Sequence, residues 1–269
     1  MGADHQDLAK FFIPYPPLSE QHAIAEALSD LDKLLGGLDR LMAKKRDLKQ
    51  AAMQQLLTGQ TRLPGFHGPW EVKRLEHLAE IFSGSTPKTT DPSFWDGGVK
   101  WCTPTDITGC PGKYLLETER TISPLGLESC AASLLPAGTL LLCSRATIGE
   151  IRIAACEICT NQGFKSLVCK QGINNEFLYY KLLTMKQKMI ERAIGSTFLE
   201  ISKRETAALE LLMPEFAEQT AIVEVLSDMD AELWALEQRW EKTRVLKQAM
   251  MQQLLTGRTR LISQESCHA

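Results

Sequence analysis

Five short stretches of the chain set small polar residues beside a cation: SGSTPKTTD (83–91), TPTDITG (103–109), SRATIG (144–149), TNQGFK (160–165) and GSTFLEISKRE (195–205). Ser, Thr, Asn, Gln, Lys and Arg are the side chains that reach phosphate oxygens and base edges of a nucleic acid. The same residues also stabilise their own turns, and for any single loop turn chemistry is a sufficient explanation. Five such loops in one segment favour a recognition surface more than any one does. Composition does not say whether they converge.

Other chemistries have less to stand on. The sequence contains no G-x-x-x-x-G-K-[ST] phosphate loop and no G-x-G-x-x-G. It also lacks the Asn/Asp-Pro-Pro-aromatic tetrapeptide of amino-methyltransferases. His5, His22, His67, His77 and His268 form neither H-E-x-x-H nor H-x-x-E-H. Glu71-Val-Lys73 has nuclease-like spacing, but no acidic partner motif precedes it. Cys156-Glu-Ile-Cys159 is spaced like half a zinc site, without the second close pair that a zinc site needs. The eight cysteines are therefore expected to act as small buried hydrophobes in a reducing compartment, and no metal site is expected.

The elements that position these loops are announced by a repeat. Residues 21–63 and 219–261 agree at 26 of 43 positions when aligned at a shift of 198, and both copies end in LLTG-x-TRL. Upstream, FFIPYPPLSEQ matches LLMPEFAEQ once two residues are skipped, which puts the start of the repeat near Ile13 and Met213. Each copy reads as a long helix, the first capped by Ser19 after Pro14, Pro16 and Pro17. Apolar residues recur in steps of four and three at Ile24, Leu28, Leu31, Leu35, Leu38 and Met42. The second copy repeats the register at Ile222, Leu226, Met229, Leu233, Leu236 and Trp240. That is a coiled-coil seam, on rods of roughly 58 Å at ~1.5 Å per residue.

Gly59 and Gly257 close the helices, and the first is expected to run through Gly36-Gly37 despite their poor propensity. Equal surfaces related by a two-fold axis are self-complementary, so copy is expected to pack antiparallel on copy, within one chain or between two. A surface helix lying on the globular part is the plainer alternative. The cluster Lys44, Lys45, Arg46 and Lys49, echoed by Lys242, Arg244 and Lys247, is either a solvated face or a site for phosphates or a partner.

Between the rods the texture changes to short apolar runs cut by Gly, Pro, Asn and Ser. Strands are expected in GTLLLCS (138–144), GEIRIAAC (149–156) and KSLVC (165–169), and a helix over 174–195. The fold class is α+β: one mixed α/β domain flanked by two long helices forming an antiparallel coiled coil. A hydrophobic content of 44% with 23% charged residues suits an ordinary globular core. No apolar run approaches a membrane span, and the start lacks a secretory signal, so a cytoplasmic protein is expected. The net charge of −3 does not advertise nucleic-acid binding, which must rest on local arrangement or on a partner's cations.

The PPLSEQ entry, the helix ending in LLTG, and the interposed GSTP, WDGGVKW, LPAGTLL, SRATIG, TNQGFKSL and GSTFLEIS occur in an order that resembles the DNA-specificity subunit of type I restriction–modification systems. The resemblance covers almost the whole chain. It implies recognition domains alternating with conserved helical regions that pair antiparallel, each domain reading half of a split target in double-stranded DNA. It further implies modification subunits docked on the helices, methylating adenine with S-adenosylmethionine, and a restriction subunit using ATP and magnesium. The specificity subunit itself is non-catalytic and carries no cofactor.

Against that pattern the chain reads as a stub of a missing domain (1–17), a first helical region (18–62), one target-recognition domain (63–212), a second helical region (213–262) and a tail (263–269). It is either a truncated piece or a half-length variant, and a homodimer would restore two reading domains. Lys88, Arg145, Lys165, Lys203 and Arg204 are the candidates for phosphates. Thr89, Thr105, Ser144, Asn161, Gln162, Ser196 and Thr197 are the candidates near base edges or sugars. Stretches shared across family members with different targets should serve the fold or the phosphates, so sequence readout is expected in 88–94 and 106–114. A coiled-coil adaptor without DNA contact, or a nuclease using Glu71 and Lys73, are the alternatives.

Overall fold

The structure, a computed structural model, describes residues 15–195 and 199–261. Ser196 and Thr197, most of the expected stub and the tail lie outside the described residues. Two compact units emerge, one built from the described residues up to Gln50 together with those from Ser227 onward, the other from Ala51–Leu226.

The first unit is a pair of helices. The first long helix spans Leu18–Leu56 without a break at Gly36-Gly37, and the second spans Phe216–Leu255. Their direction is fixed by ion pairs that join early residues of one to late residues of the other. Lys247 meets Asp32 at 2.5 Å and Lys45 meets Glu232 at 2.6 Å. Arg46 meets Glu237 at 2.7 Å, and Lys49 pairs with Asp230. The helices are therefore antiparallel within one chain. Every expected seam residue is buried or half-buried, from Ile24, Leu38 and Met42 on one helix to Leu233 and Trp240 on the other. The seam then continues in the same steps through Lys45 and Lys49, and through Thr243 and Lys247.

Most of the basic cluster, left open between a solvated face and a site for phosphates or a partner, is engaged by carboxylates of the helix pair. Lys45, Arg46, Lys49 and Lys247 face the partner helix's carboxylates, and Arg244 pairs with Glu241 one turn away at 2.6 Å.

The helix ends obey the repeat. Gly59 and Gly257 take φ of 73° and 71°, a left-handed conformation that costs glycine little. The amides of Thr61 and Thr259 reach back six residues to Gln55 and Gln253, closing the same motif twice. The start differs from expectation. Ser19 lies inside the first helix, and the carbonyl of Pro17 accepts from the amides of Glu20 and Gln21 at 3.0 Å, as that of Glu215 does from Glu218 and Gln219 at 3.1 Å. Gln21 Nε2 donates to the Pro16 carbonyl at 2.8 Å and Gln219 Nε2 to that of Pro214 at 2.9 Å. The shift of 198 thus holds back to Pro16, and the two-residue skip belongs before it.

The second unit is α+β. Among the described residues ten strands follow in order: β1 (Glu71–Arg74), β2 (Ala79–Ser83), β3 (Trp95–Cys102), β4 (Tyr114–Leu115), β5 (Arg120–Ile122), β6 (Leu140–Cys143), β7 (Ile151–Ala154), β8 (Cys159–Thr160), β9 (Phe164–Cys169) and β10 (Glu210–Met213). They form a five-stranded sheet ordered β2-β9-β6-β7-β4, a three-stranded sheet β5-β3-β8 and a pair β1-β10. The three expected strands are β6, β7 and β9. Leu140, Leu141, Leu142, Ile151 and Ile153 are wholly buried, each worth about 1.5–3 kcal/mol of burial.

A second cluster packs Trp95, Trp101, Ile122 and Cys159. A bulge at Asp96-Gly97-Gly98 lets Trp95 and Val99 both pair with Ile122. Gly97 is required there, since a Cβ would lie 2.2 Å from Ser123 Cα.

The single helix expected over 174–195 is two, Asn175–Leu183 and Lys186–Glu191. Asn174 caps the first by accepting from the amides of Glu176 and Phe177. Thr184 Oγ1 donates to the Lys181 carbonyl at 2.7 Å and ends it, a local bond that competes with continuation.

Candidate nucleic-acid interface

The polar loops converge, and the segment 160–165 is where they meet. The amide of Ser85 donates to the Thr160 carbonyl at 2.9 Å, and Thr86 Oγ1 donates to Gln162 Oε1 at 2.5 Å. A side chain at Gly84 would collide with the carbonyls of Asn161 and Thr160, at 2.1 and 2.2 Å, so loop 83–91 sits directly on loop 160–165. The amide of Asn161 donates to the Cys102 carbonyl at 3.0 Å, bringing in loop 103–109. The amide of Ser144 donates to the Gly163 carbonyl at 2.7 Å, and the amide of Ile201 to the Ser144 carbonyl at 3.1 Å, adding loops 144–149 and 199–205. One loop cluster therefore gathers pieces from across the domain.

An ion-pair network holds it. Glu200 accepts from Arg145 Nε at 2.7 Å and from Lys165 Nζ at 3.0 Å, and Lys165 also donates to Ser144 Oγ at 3.3 Å. Burial opposes the charge of Glu200, but hydrogen bonds from Arg145 and Lys165, with their charges, outweigh it and lower its pKa. Ala146 beside it adopts φ of 55°, a strained value for a residue with a Cβ, so the bend after Arg145 is held by its surroundings.

The candidates divide by exposure. Lys88, Thr89, Thr105, Arg145, Gln162, Lys203 and Arg204 are exposed, and Asn161 is half-buried. Ser144 and Lys165 are buried. Lys165 lies on β9 between β2 and β6, where its ammonium is committed to Glu200 and Ser144, so it supports the loops and does not present a cation to solvent. Asn161 accepts from the Gly163 amide through its side chain at 2.8 Å, which shapes the turn. Ser202 caps the helix Lys203–Ala207 by accepting from the Glu205 amide, placing Lys203 and Arg204 in its exposed first turn.

Of the stretches expected to read sequence, 88–94 presents Lys88 and Thr89. Asp91 accepts from the hydroxyl and amide of Ser93, which lower its pKa and fix the bend. In 106–114, Asp106 accepts from Thr103 and from the amide of Glu119, a capping role that keeps it from a base edge. A cavity of about 550 Å³ beside it includes Asp106, Glu117 and Glu119, an acidic lining unsuited to phosphate.

Arg120 was missed. Its guanidinium lies 3.6 Å from the Trp95 ring centre and 5.6 Å from that of Trp101, a cation–π arrangement. Trp95 Nε1 donates to the Lys88 carbonyl at 3.3 Å, so this exposed cation stands beside loop 83–91. The cross-strand pairing of Trp101 with Arg120 is the signal that would have found it, and the sequence does not state that register.

The other chemistries gain nothing. Glu71 and Lys73 pair with each other at 2.9 Å on an exposed strand. Cys159 Sγ faces the Lys100 carbonyl and Cys156 Sγ the Leu116 carbonyl, so the pair is not gathered on one point. Burial pushes the Cys159 thiol up to about 12 and that of Cys143 to about 11. Among the described residues no three of His, Cys, Asp and Glu are placed to share a metal ion, and no helix is long and apolar enough to cross a membrane.

The chain is 37% identical over 163 residues to the type I restriction enzyme MjaIX specificity subunit of Methanocaldococcus jannaschii, covering 60% of this chain and 38% of that protein. It is 25% identical over 262 residues to the putative MjaX specificity subunit of the same organism, covering 93% and 59%. It thus spans well under two thirds of these relatives.

Among solved structures it resembles a chain from a study of complex assembly and conformational transition of the type I R-M system. The TM-score is 0.65 at 22% identity, over 96% of this chain and 64% of that one. It also resembles the HsdS subunit from Thermoanaerobacter tengcongensis, with a TM-score of 0.58 at 22% identity over 92% and 61%. These two show the shared fold. A family model described as "Type I restriction modification DNA specificity domain" matches residues 2–40 and 67–247, most of the chain. The chain belongs to the family of type I restriction modification DNA specificity domains.

Proposed function

We propose that this chain is the DNA-reading and scaffold component of a type I restriction–modification complex, its recognition domain contacting one half of a split target in duplex DNA. The observation that carries this is the convergence of four polar loops on the fifth, segment 160–165, with Lys88, Arg145, Lys203, Arg204 and Arg120 exposed around it. Cations positioned on a rigid surface neutralise phosphates and set the register, and short polar side chains between them address base edges. Thr89, Thr105 and Gln162 are the exposed polar candidates.

The chain is non-catalytic in this reading. Modification subunits dock on the paired helices and bring S-adenosylmethionine, a restriction subunit brings ATP with magnesium, and the complex works in the cytoplasm. The helices suit docking because their ion pairs are satisfied internally and apolar side chains such as Leu34, Leu41, Trp234, Val245 and Leu246 stay exposed.

The test is methylation mapping in cells that express the chain with its modification subunits. Replacing Thr89 and Gln162 changes the methylated half-site while methylation continues. An adaptor without DNA contact leaves the methylated sequence unchanged.

A further inference from the structure

Most guanidinium groups of the second unit have their N–H donors engaged. Among its described residues Arg62, Arg74 and Arg145 pair with carboxylates, and Arg152 and Arg192 donate to backbone carbonyls. Arg120 is different. It is exposed and makes neither an ion pair nor a side-chain hydrogen bond with any described residue, yet it is held in place by two rings.

Trp95 and Trp101 meet edge to face, with ring centres 5.1 Å apart and planes at 86°, and so form a corner. The Arg120 guanidinium occupies it, 3.6 Å from the Trp95 centre and 5.6 Å from that of Trp101. The corner is rigid, because the two indoles are 9% and 4% exposed and their N–H groups are both engaged. Trp101 Nε1 donates to the Ser85 carbonyl at 3.0 Å and Trp95 Nε1 to the Lys88 carbonyl at 3.3 Å, so both rings are tied to loop 83–91. The backbone is fixed as well. Arg120 pairs with Trp101 across the β3-β5 ladder, and its carbonyl accepts from Thr118 Oγ1 at 2.8 Å.

A guanidinium carries its five N–H donors in its own plane, so resting a face on an indole leaves the donors unused. What Arg120 offers is a planar fork for two acceptors set side by side. A phosphate and the O6/N7 edge of guanine both present such a pair. The surroundings choose between them. Glu119, one residue away, lines the acidic cavity with Asp106 and Glu117, which repels a phosphate. A G·C pair suits that neighbourhood, since cytosine turns an amine toward carboxylates beside the guanine acceptors. Phosphates need only charge within reach, which exposed Lys88, Lys203 and Arg204 supply.

We infer that Arg120 selects a guanine in the target half-site, donating through one edge of its guanidinium to O6 and N7 in the major groove. Trp95 and Trp101 are its positioning residues, and they couple it to loop 83–91. The inference rests on the DNA-reading role proposed above.

The test uses the complex assembled with modification subunits. Methylation mapping should find a guanine in the half-site whose preference over the other bases falls at least about tenfold in Arg120→Ala, the other positions being kept. A duplex with 7-deazaguanine at that position, which lacks the N7 acceptor, should bind the unsubstituted complex about fivefold more weakly than the guanine duplex, and Arg120→Ala should bind the two equally. The altered duplex leaves the protein unchanged, so misfolding of a variant does not obscure the outcome. A half-site without guanine, or an unchanged methylated sequence in Arg120→Ala, overturns the inference. So does a loss of affinity that is equal for every sequence, the mark of a phosphate contact. If Lys88→Ala/Lys203→Ala/Arg204→Ala weakens binding while Arg120→Ala keeps the same target, DNA reading stands and only the role of Arg120 falls.

Discussion

Lys49 on the first long helix is paired with Asp230 on the second, and the repeat writes the same pair again as Lys247 with Asp32. Each partner lies 198 residues from its counterpart, so one pair implies the other across a two-fold axis. The pairs sit where lysines enter the apolar seam, and they explain why the duplication keeps a positively charged residue in a buried stripe. The antiparallel register brings both lysines to acids.

A double-mutant cycle tests this directly. Lys49→Ala and Asp230→Ala should show a coupling of about 0.5–1 kcal/mol in denaturant unfolding, modest because both side chains are partly solvated. Lys49→Glu should cost more, and Lys49→Asp with Asp230→Lys should recover part of the loss.

The apolar seam makes a larger prediction. Leu38 is 4% exposed and Leu34, one turn earlier, is 39% exposed. Leu38→Ala should destabilise the helical pair by ~2–5 kcal/mol, whereas Leu34→Ala should stay within about 0.5 kcal/mol. Urea unfolding followed by helical circular dichroism separates the two.

Glu200 links acidity to the loop cluster. Its folded pKa is depressed, so its contribution to stability is fully present above the unfolded carboxylate value of about 4.3 and is lost as pH falls through the lower, folded value. Glu200→Gln should destabilise the domain by ~1–3 kcal/mol at pH 7 by leaving the buried Lys165 ammonium without its counter-charge. The difference from the unsubstituted protein should shrink on acidification below pH 4. Thermal melts across pH 3–7 measure it.

Lys181 gives a pH dependence of the same sign in a more alkaline window. Burial first, then the nearby Lys188 charge, lower its pKa to about 8. Between pH 8 and the unfolded value near 10.4 the unfolded chain binds the extra proton, so this residue makes stability rise with pH. Lys181→Met should flatten that rise in unfolding measurements between pH 7.5 and 10.

The sequence was most legible where the chain compares itself with itself. Ile24 with Ile222, and Leu38 with Leu236, gave the helical register without a second protein, and Gly59 with Gly257 gave the ends. It was least legible where pairing across distance decides exposure. Lys165 reads as an exposed cation in TNQGFK, but β9 lies between β2 and β6 and turns it inward toward Glu200. Lys45 and Lys49 read as part of a cationic face, yet they continue the seam and meet acids nearly two hundred residues away. Arg120 carried no local mark, because its stacking on Trp95 depends on a bulge at Asp96–Gly98. The helix over 174–195 broke at Thr184, whose hydroxyl returns to the Lys181 carbonyl, a bond that helical periodicity does not express.

The central claim is that the loop cluster of the recognition domain touches DNA. The most direct measurement is the salt dependence of duplex affinity for the complex assembled with modification subunits, comparing the unsubstituted chain with Lys88→Ala/Lys203→Ala/Arg204→Ala. The account predicts at least about a tenfold loss of affinity and a slope of log K against log salt smaller by up to about three, near one per phosphate contact removed. Unchanged affinity and slope in a correctly assembled complex would contradict it.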